Sequence, residues 1–304
     1  MRPYHLNMGS DPLKTFLQGN KMKRYVLLLL LATTSIECVA GWKEGFTFYK
    51  AGKYKTALKE LLPSANGGNA DAQYLIGDIY SSGLGVDRKE DYVAINNSQA
   101  VGWYRKAAVQ GHPYAQFALG LMYKIGEVVP QDYSQAADWY RKAAEQGLYS
   151  AQNSLGEIYR YGEGVPQNYS QAINWYRKAA EQGDTESLFA LGLMYYNGEG
   201  VPQNYSQAAD WYRKAAEQGD TKSLFNLGEM YKKGEGVAKN LVLAHIFYNL
   251  AAVNGDEYRK SRDEITVKLT SAQLSESQEL ASKWVINQPL PTITQTYPSS
   301  SKEN

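Results

Sequence analysis

Trp103, Trp139, Trp175 and Trp211 stand 36 residues apart, and Phe247 continues the series. Gly111, Gly147, Gly183, Gly219 and Gly255 keep the same step, as do Gly120, Gly156, Gly192 and Gly228. The stretch GEGVPQNYSQAADWYRKAAEQG at 198–219 recurs at 162–183 with 20 of 22 positions unchanged. A fixed period of about 20–50 residues requires stacked supersecondary units, because one unit cannot bury its own apolar face. This period outweighs any reading from the 304-residue length.

Each unit reads as two helices. In AQFALGLMYK, Ala115, Leu119, Met122 and Tyr123 fall at i, i+4, i+7 and i+8, one apolar helical face. Gly126 marks its C-terminal end, where a left-handed backbone is needed. After a GEGVPQN-type loop, Asp132, Asn168, Asn204 and Asn240 occupy N-cap positions, with Gln135, Gln171 and Gln207 three residues on in the first three. The second helix carries Tyr133, Ala136, Tyr140, Ala143 and Ala144 as its buried stripe, and Asp138 and Lys142 at i, i+4 on its wet side. Glycine inside the first helix costs about 1 kcal/mol against alanine. Its recurrence in four copies predicts close packing there, and the small Ala136, Ala143 and Ala144 stripe is the expected partner.

The runs A-x-x-x-L-G-x-x-Y-x-x-G-x-G-V and A-x-x-W-Y-x-x-A-A-x-Q-G resemble the Sel-1-like repeat, a relative of the tetratricopeptide repeat, over about 70–255. The resemblance implies an all-α fold: an α/α solenoid, coiled as a right-handed superhelix, of about five 36-residue helix–turn–helix repeats. In that architecture the first helices line a concave face. The units are placed at 70–111, 112–147, 148–183, 184–219 and 220–255. Residues 41–69 are expected to form a lone N-terminal capping helical segment, and 256–287 the C-terminal capping helices. Leu250 and Val253 replace the polar Lys142 and Glu145 of an earlier copy, so they are expected to need cover. The Pro/Ser/Thr-rich 288–304 reads as a disordered tail. Asp87–Asp91 lie in a longer linker, 87–95, read as a solvated loop rather than a binding loop. Val128 stands where later copies have glycine.

Residues 22–40, MKRYVLLLLLATTSIECVA, read as a signal peptide cleaved after Ala40, with 1–21 a start-site extension. The predicted location is therefore periplasmic or secreted. Cys38 is the only cysteine and would leave with the signal. Its apolar run of seven residues rises about 10 Å as a helix, too short for a bilayer core of roughly 30 Å, so no stable membrane insertion is expected after cleavage. Residues 1–40 hold five Lys/Arg against two Asp/Glu, so the whole-chain charge of +1 becomes −2 beyond them. That balance argues against a nucleic-acid partner.

His5, His112 and His245 occupy unrelated positions, and no phosphate-binding loop or nucleophile-elbow motif occurs. No catalytic residue, cofactor or metal is therefore expected. Some cysteine-rich Sel-1-like relatives bind or hydrolyse β-lactams. That alternative needs a cysteine pair in each repeat, which this chain lacks, and a structural part in cell-wall or polysaccharide assembly is a further alternative. The family resemblance implies a protein or peptide partner held in the concave groove. Differences between copies gather on the first helix at i, i+4, i+7 and i+11. Tyr114, Leu121, Glu157, Tyr161, Leu193, Asn197, Glu229 and Lys233 are the candidate partner-binding residues.

Overall fold

The computed structural model describes residues 41–83, 92–253 and 255–293. The expected signal peptide at 22–40 with Cys38, the expected start-site extension at 1–21, Asp87–Asp91 and the chain beyond 293 lie outside the described residues. Among the described residues there are fourteen helices and no strand. The chain divides into two compact units at Leu119 and Gly120.

The first unit contains α1 (41–50), α2 (Tyr54–Asn66), α3 (Ala70–Ser82), α4 (Asn97–Val109) and the start of α5 (Pro113–Ile125). Its opening is a helical pair, not the lone segment expected. Gly52, at φ 72°, breaks the helical run at KAGKY, and the bare backbone of Gly45 lets α1 approach Leu61 of α2. Ala57, Leu61, Ile76 and Ile79 form the core, with Trp42 and Phe46 packed on it.

The second unit completes α5 and continues through α6 (Tyr133–Glu145), α7 (Tyr149–Tyr161), α8 (Tyr169–Glu181) and α9 (Thr185–Asn197). It goes on with α10 (Tyr205–Glu217), α11 (Thr221–Lys233), α12 (Leu241–Ala251), α13 (Asp256–Thr266) and α14 (Ser271–Lys283). Two of the copied loop letters, the glutamine and the asparagine (Asp132 in one copy), have hydrogen-bonding tasks. Asp132, Asn168 and Asn204 accept from the N–H of Gln135, Gln171 and Gln207 at 2.9–3.0 Å. Their own N–H groups donate to the carbonyls of Tyr123, Tyr159 and Tyr195, which ties each second helix to the end of the first. Gln131, Gln167 and Gln203 donate to Lys124, Arg160 and Tyr196 carbonyls left open at the helix ends.

The helical glycines do pack tightly, but against tyrosine rather than the alanine stripe. A Cβ on Gly120, Gly156, Gly192 or Gly228 would meet ring atoms of Tyr140, Tyr176, Tyr212 or Tyr248 at 2.6–2.7 Å. Gly77 and Tyr104 repeat the arrangement in the first unit. The rings are almost wholly buried, and the alanines pack around them. The tryptophans are half-buried, with Lys106, Lys142, Lys178 and Lys214 Nζ lying 3.9–4.4 Å from the centroids of Trp103, Trp139, Trp175 and Trp211. Trp211 packs against the cores of two successive repeats.

Gly164 and Gly236 have φ of 71° and 68°, and a Cβ there would run into the backbone at Tyr133–Ser134 and Tyr205–Ser206. Val128, the valine in that place, has no positive φ: Asn287 is the only non-glycine with one among the described residues. The loop before α6 therefore follows a different path, which accounts for the departure from GEG.

At the C-terminus, Ile265 and Ala281 are buried against α12, with Leu269, Leu280 and Trp284 partly so. Leu250 is partly covered, but Val253 remains 78% exposed, contrary to its expected burial. Residues 288–293 are not a free tail either. Leu290 is 7% exposed within the core that includes Tyr212 and Phe247, and Ile293 packs against it. Composition pointed to disorder because proline removes hydrogen bonds, yet Leu290 and Ile293 supply enough apolar surface to hold an extended segment down. No described helix is long and apolar enough to cross a membrane.

Candidate functional site

The candidate residues sit on the first helices, and their environments separate them into two groups. Tyr114, Leu121, Tyr161, Asn197 and Lys233 are exposed, Tyr161 to 60%. Ile125, which the sequence comparison did not single out as a contact, is exposed beside Leu121 on α5. Arg160 lies over the Tyr161 ring, 5.3 Å from its centroid. Leu193 is half-buried.

Glu157 and Glu229 belong to the second group, fixed by neighbours. Glu157 pairs with Lys124 at 2.9 Å. Glu229 is half-buried, accepts from the Tyr248 hydroxyl, and lies 3.5 Å from both Lys232 and Lys233. Burial would raise its carboxyl, but the Tyr248 bond and the two lysines hold it below the usual range. Glu229 is therefore tied into the helix pairing.

A row next to the predicted one was missed. Arg160 is buried and donates through Nε and Nη2 to Glu199 of the next repeat, at 2.7 and 3.1 Å. Tyr196 donates to Glu235 at 2.7 Å, again 39 residues on. Burial would raise Glu199, but the Arg160 and Asn197 bonds hold it below its ordinary value. Glu199 and Glu235, the glutamates of the two later GEG motifs, are thus acceptors between repeats as well as parts of turns. The signal was present in the sequence as a donor residue 39 positions before a glutamate, a spacing that exceeds the repeat by three.

Among the described residues no group of three His, Cys, Asp or Glu could hold a metal. His112 stacks on Tyr74 and approaches Asp71 at 3.3 Å. His245, 2% exposed, lies between three helices: its Nε2 is 3.0 Å from Thr266 Oγ1 and its Nδ1 is 2.9 Å from Ser277 Oγ. Sequence reading missed this Ser–His contact because the two residues are 32 apart. Ser277 is wholly buried and also donates to the Leu274 carbonyl, so the contact joins α14 to α12 without an open face for a substrate.

Burial, then the charge of Arg262, pushes His245 below its ordinary value, while Asp263 opposes weakly. A lowered folded value means that neutral His245 is favoured by folding. The resulting stability is fully present above the unfolded value of about 6.5 and is lost as pH falls through that value and the folded one. The melting temperature of the native chain is thus expected to drop more between pH 7 and pH 5 than that of His245→Gln. Parallel pH profiles would contradict it.

The Sel1 repeat model matches five times, at 70–112, 113–148, 150–184, 185–220 and 221–256. The chain belongs to the Sel1 repeat family. Two solved structures extend the likeness. One is a protective antigen of uropathogenic Escherichia coli strains displaying an SLR fold, 33% identical with a TM-score of 0.72 over 81% of this chain. The other is a Sel1 repeat protein from Oxalobacter formigenes, 34% identical with a TM-score of 0.68 over 80% of this chain and 99% of that one. This Sel1 repeat chain spans about half the length of the E. coli antigen, 52%. Among curated protein sequences none matches. Sel1 repeat proteins are generally protein-interaction scaffolds, and the fold is typically non-catalytic.

Proposed function

We propose that this Sel1 repeat protein is a non-catalytic scaffold of the bacterial envelope or of the secreted fraction, binding a protein or peptide on the face lined by its first helices. The observation that supports this reading is the division of labour between copies. Caps, turns, tyrosines and small residues recur because they build the pairs, while the exposed positions on the first helices differ and include apolar Leu121, Ile125 and Tyr161. Identical copies would offer identical surfaces, so selectivity requires the positions that vary. Export is supported by the basic, apolar and small-residue pattern of 22–40.

Alanine at Leu121, Tyr161, Asn197 and Lys233 together tests the binding face. Each is exposed, and the bonds of Asn197 to Glu199 and of Lys233 to Glu229 are surface ones, so stability should move by less than about 1 kcal/mol per site. An interface hot spot among them costs about 2 kcal/mol or more of binding, roughly 30-fold. Lys142, Lys178 and Lys214 would make poor controls because each covers a tryptophan ring. Glu145→Ala with Glu181→Ala on the second helices serves instead. Pull-down from envelope extracts should lose its captured partner only with the first set. Loss with the control set alone overturns the reading.

A further inference from the structure

The segment after α14 crosses the end of α10 and is held there by its backbone and by apolar side chains. The Asn287 N–H donates to the Glu217 carbonyl at 2.7 Å, satisfying an acceptor at the helix end. Ile286 touches the Gly219 turn, where a Cβ would meet it at 3.0 Å, but stays 53% exposed, so the apolar hold comes from Leu290. Leu290 is buried beyond it. Between Asn287–Pro289 and Ala180, Leu188, Lys214, Glu217 and Gln218 a cleft of about 450 Å³ remains unfilled.

The cleft has a cause in the repeat register. Position 188 corresponds to Gln73, Gln116 and Gln152 in the three earlier repeats. Those glutamines donate back to the carbonyls of Ala65, Ala108 and Ala144 at 2.8–3.1 Å. Gln73 and Gln152 also accept from Gln110 and Gln182, at 2.7 and 2.9 Å. Leu188 can make neither bond. Gln218, the counterpart of Gln182, accepts from the Thr185 hydroxyl instead. The polar bridge is replaced there by an apolar wall, and that is where the segment crosses.

We infer that Leu188, Glu217, Gln218 and Gly219 line a second binding site, for an extended peptide of two polar residues and proline followed by a buried leucine anchor. The chain's own Ile286–Leu290 occupies it in cis. This site is separate from the face of the first helices and does not depend on the reading given above. The cleft beside Asn287 and Gln288 has room for bulkier residues of an outside peptide at those two positions.

The test uses the full chain and a fluorescent peptide of sequence WVINQPLPTI, residues 284–293. Leu290→Asp should release the internal segment and strengthen peptide binding at least tenfold over the native chain. Adding Leu188→Gln, which restores the residue of three sister repeats, should return binding to the native level or below. Hydrogen exchange supplies an independent readout: Leu188→Gln alone should deprotect the Asn287 amide while the α9 and α10 amides stay protected. No gain with Leu290→Asp, or unchanged binding and protection with Leu188→Gln, overturns the proposal.

Discussion

Gly192→Ala is expected to destabilise the protein by about 1–3 kcal/mol, whereas Gly102→Ala should stabilise it by about 0.5–1 kcal/mol. Both glycines lie inside α-helices, in α9 and α4, so both replacements gain the same helix propensity, about 1 kcal/mol. They differ in what the added methyl group meets. At Gly102 nothing lies within 4 Å, and the propensity gain is unopposed. At Gly192 the methyl would stand 2.6 Å from Cδ1 and Cε1 of Tyr212, a ring only 1% exposed. The Tyr212 ring is buried in a close-packed core and lies against Phe189 of α9, so room for the methyl requires α9 and α10 to separate. Overpacking then outweighs propensity. Urea unfolding of the two variants checks the sign. Tyr212→Leu combined with Gly192→Ala should recover part of the loss, since the clash is removed with the ring. Equal stabilisation by both glycine replacements would show that the tyrosine contact does not hold the pair.

The glycine and tyrosine positions illustrate what could be read from the chain before its structure. The 36-residue step, the two-helix unit, the Asn/Asp caps and the need for close contact at Gly192 all follow from local rules and periodicity. Which side chain fills the space at the glycine does not. Tyr212 and Ala208 fall on the same helical stripe, and only the rotation of α10 about its axis decides which of them faces Gly192. The same limit explains the row through Arg160 and Tyr196. One residue separates it from the row chosen by comparing copies, and helix rotation places Arg160 inward while Tyr161 stays out. Glu229 differs from its exposed neighbours for a related reason: its partner Tyr248 belongs to the next helix and is itself part of the recurring glycine–tyrosine contact. The end segment failed differently: composition counts its prolines but cannot count the burial of Leu290. The candidate face was thus legible as a face, while the division between its exposed and its tethered members was not.

Removing residues 256–304 is expected to leave a chain that self-associates and unfolds at far lower urea concentration. In α12 the residues Val242, Ala244, His245, Ile246, Phe247, Tyr248 and Ala251 are all buried, so the helix is apolar nearly all round. A terminal repeat of that kind needs a cover. The cover contributes Ile265, Ala281 and Leu290 as buried side chains, with Leu269, Leu280 and Trp284 partly buried around them. Fully burying a large apolar side chain is worth about 1.5–3 kcal/mol, so Ile265 and Leu290 alone approach the lower part of a typical total stability of about 5–15 kcal/mol. His245 would also lose Thr266 and Ser277, leaving both ring nitrogens without these partners. A milder truncation at 287 removes Leu290 and Ile293 but keeps α13 and α14. It should cost about 1.5–3 kcal/mol for Leu290 and leave the chain monomeric. The expected order of unfolding midpoints is therefore full chain, truncation at 287, truncation at 255, with dimers or larger species by light scattering only in the last. A truncation at 255 that stayed monomeric with an unchanged midpoint would mean that α12 tolerates water, and that α13 and α14 are an appendage rather than the closing layer of the fold.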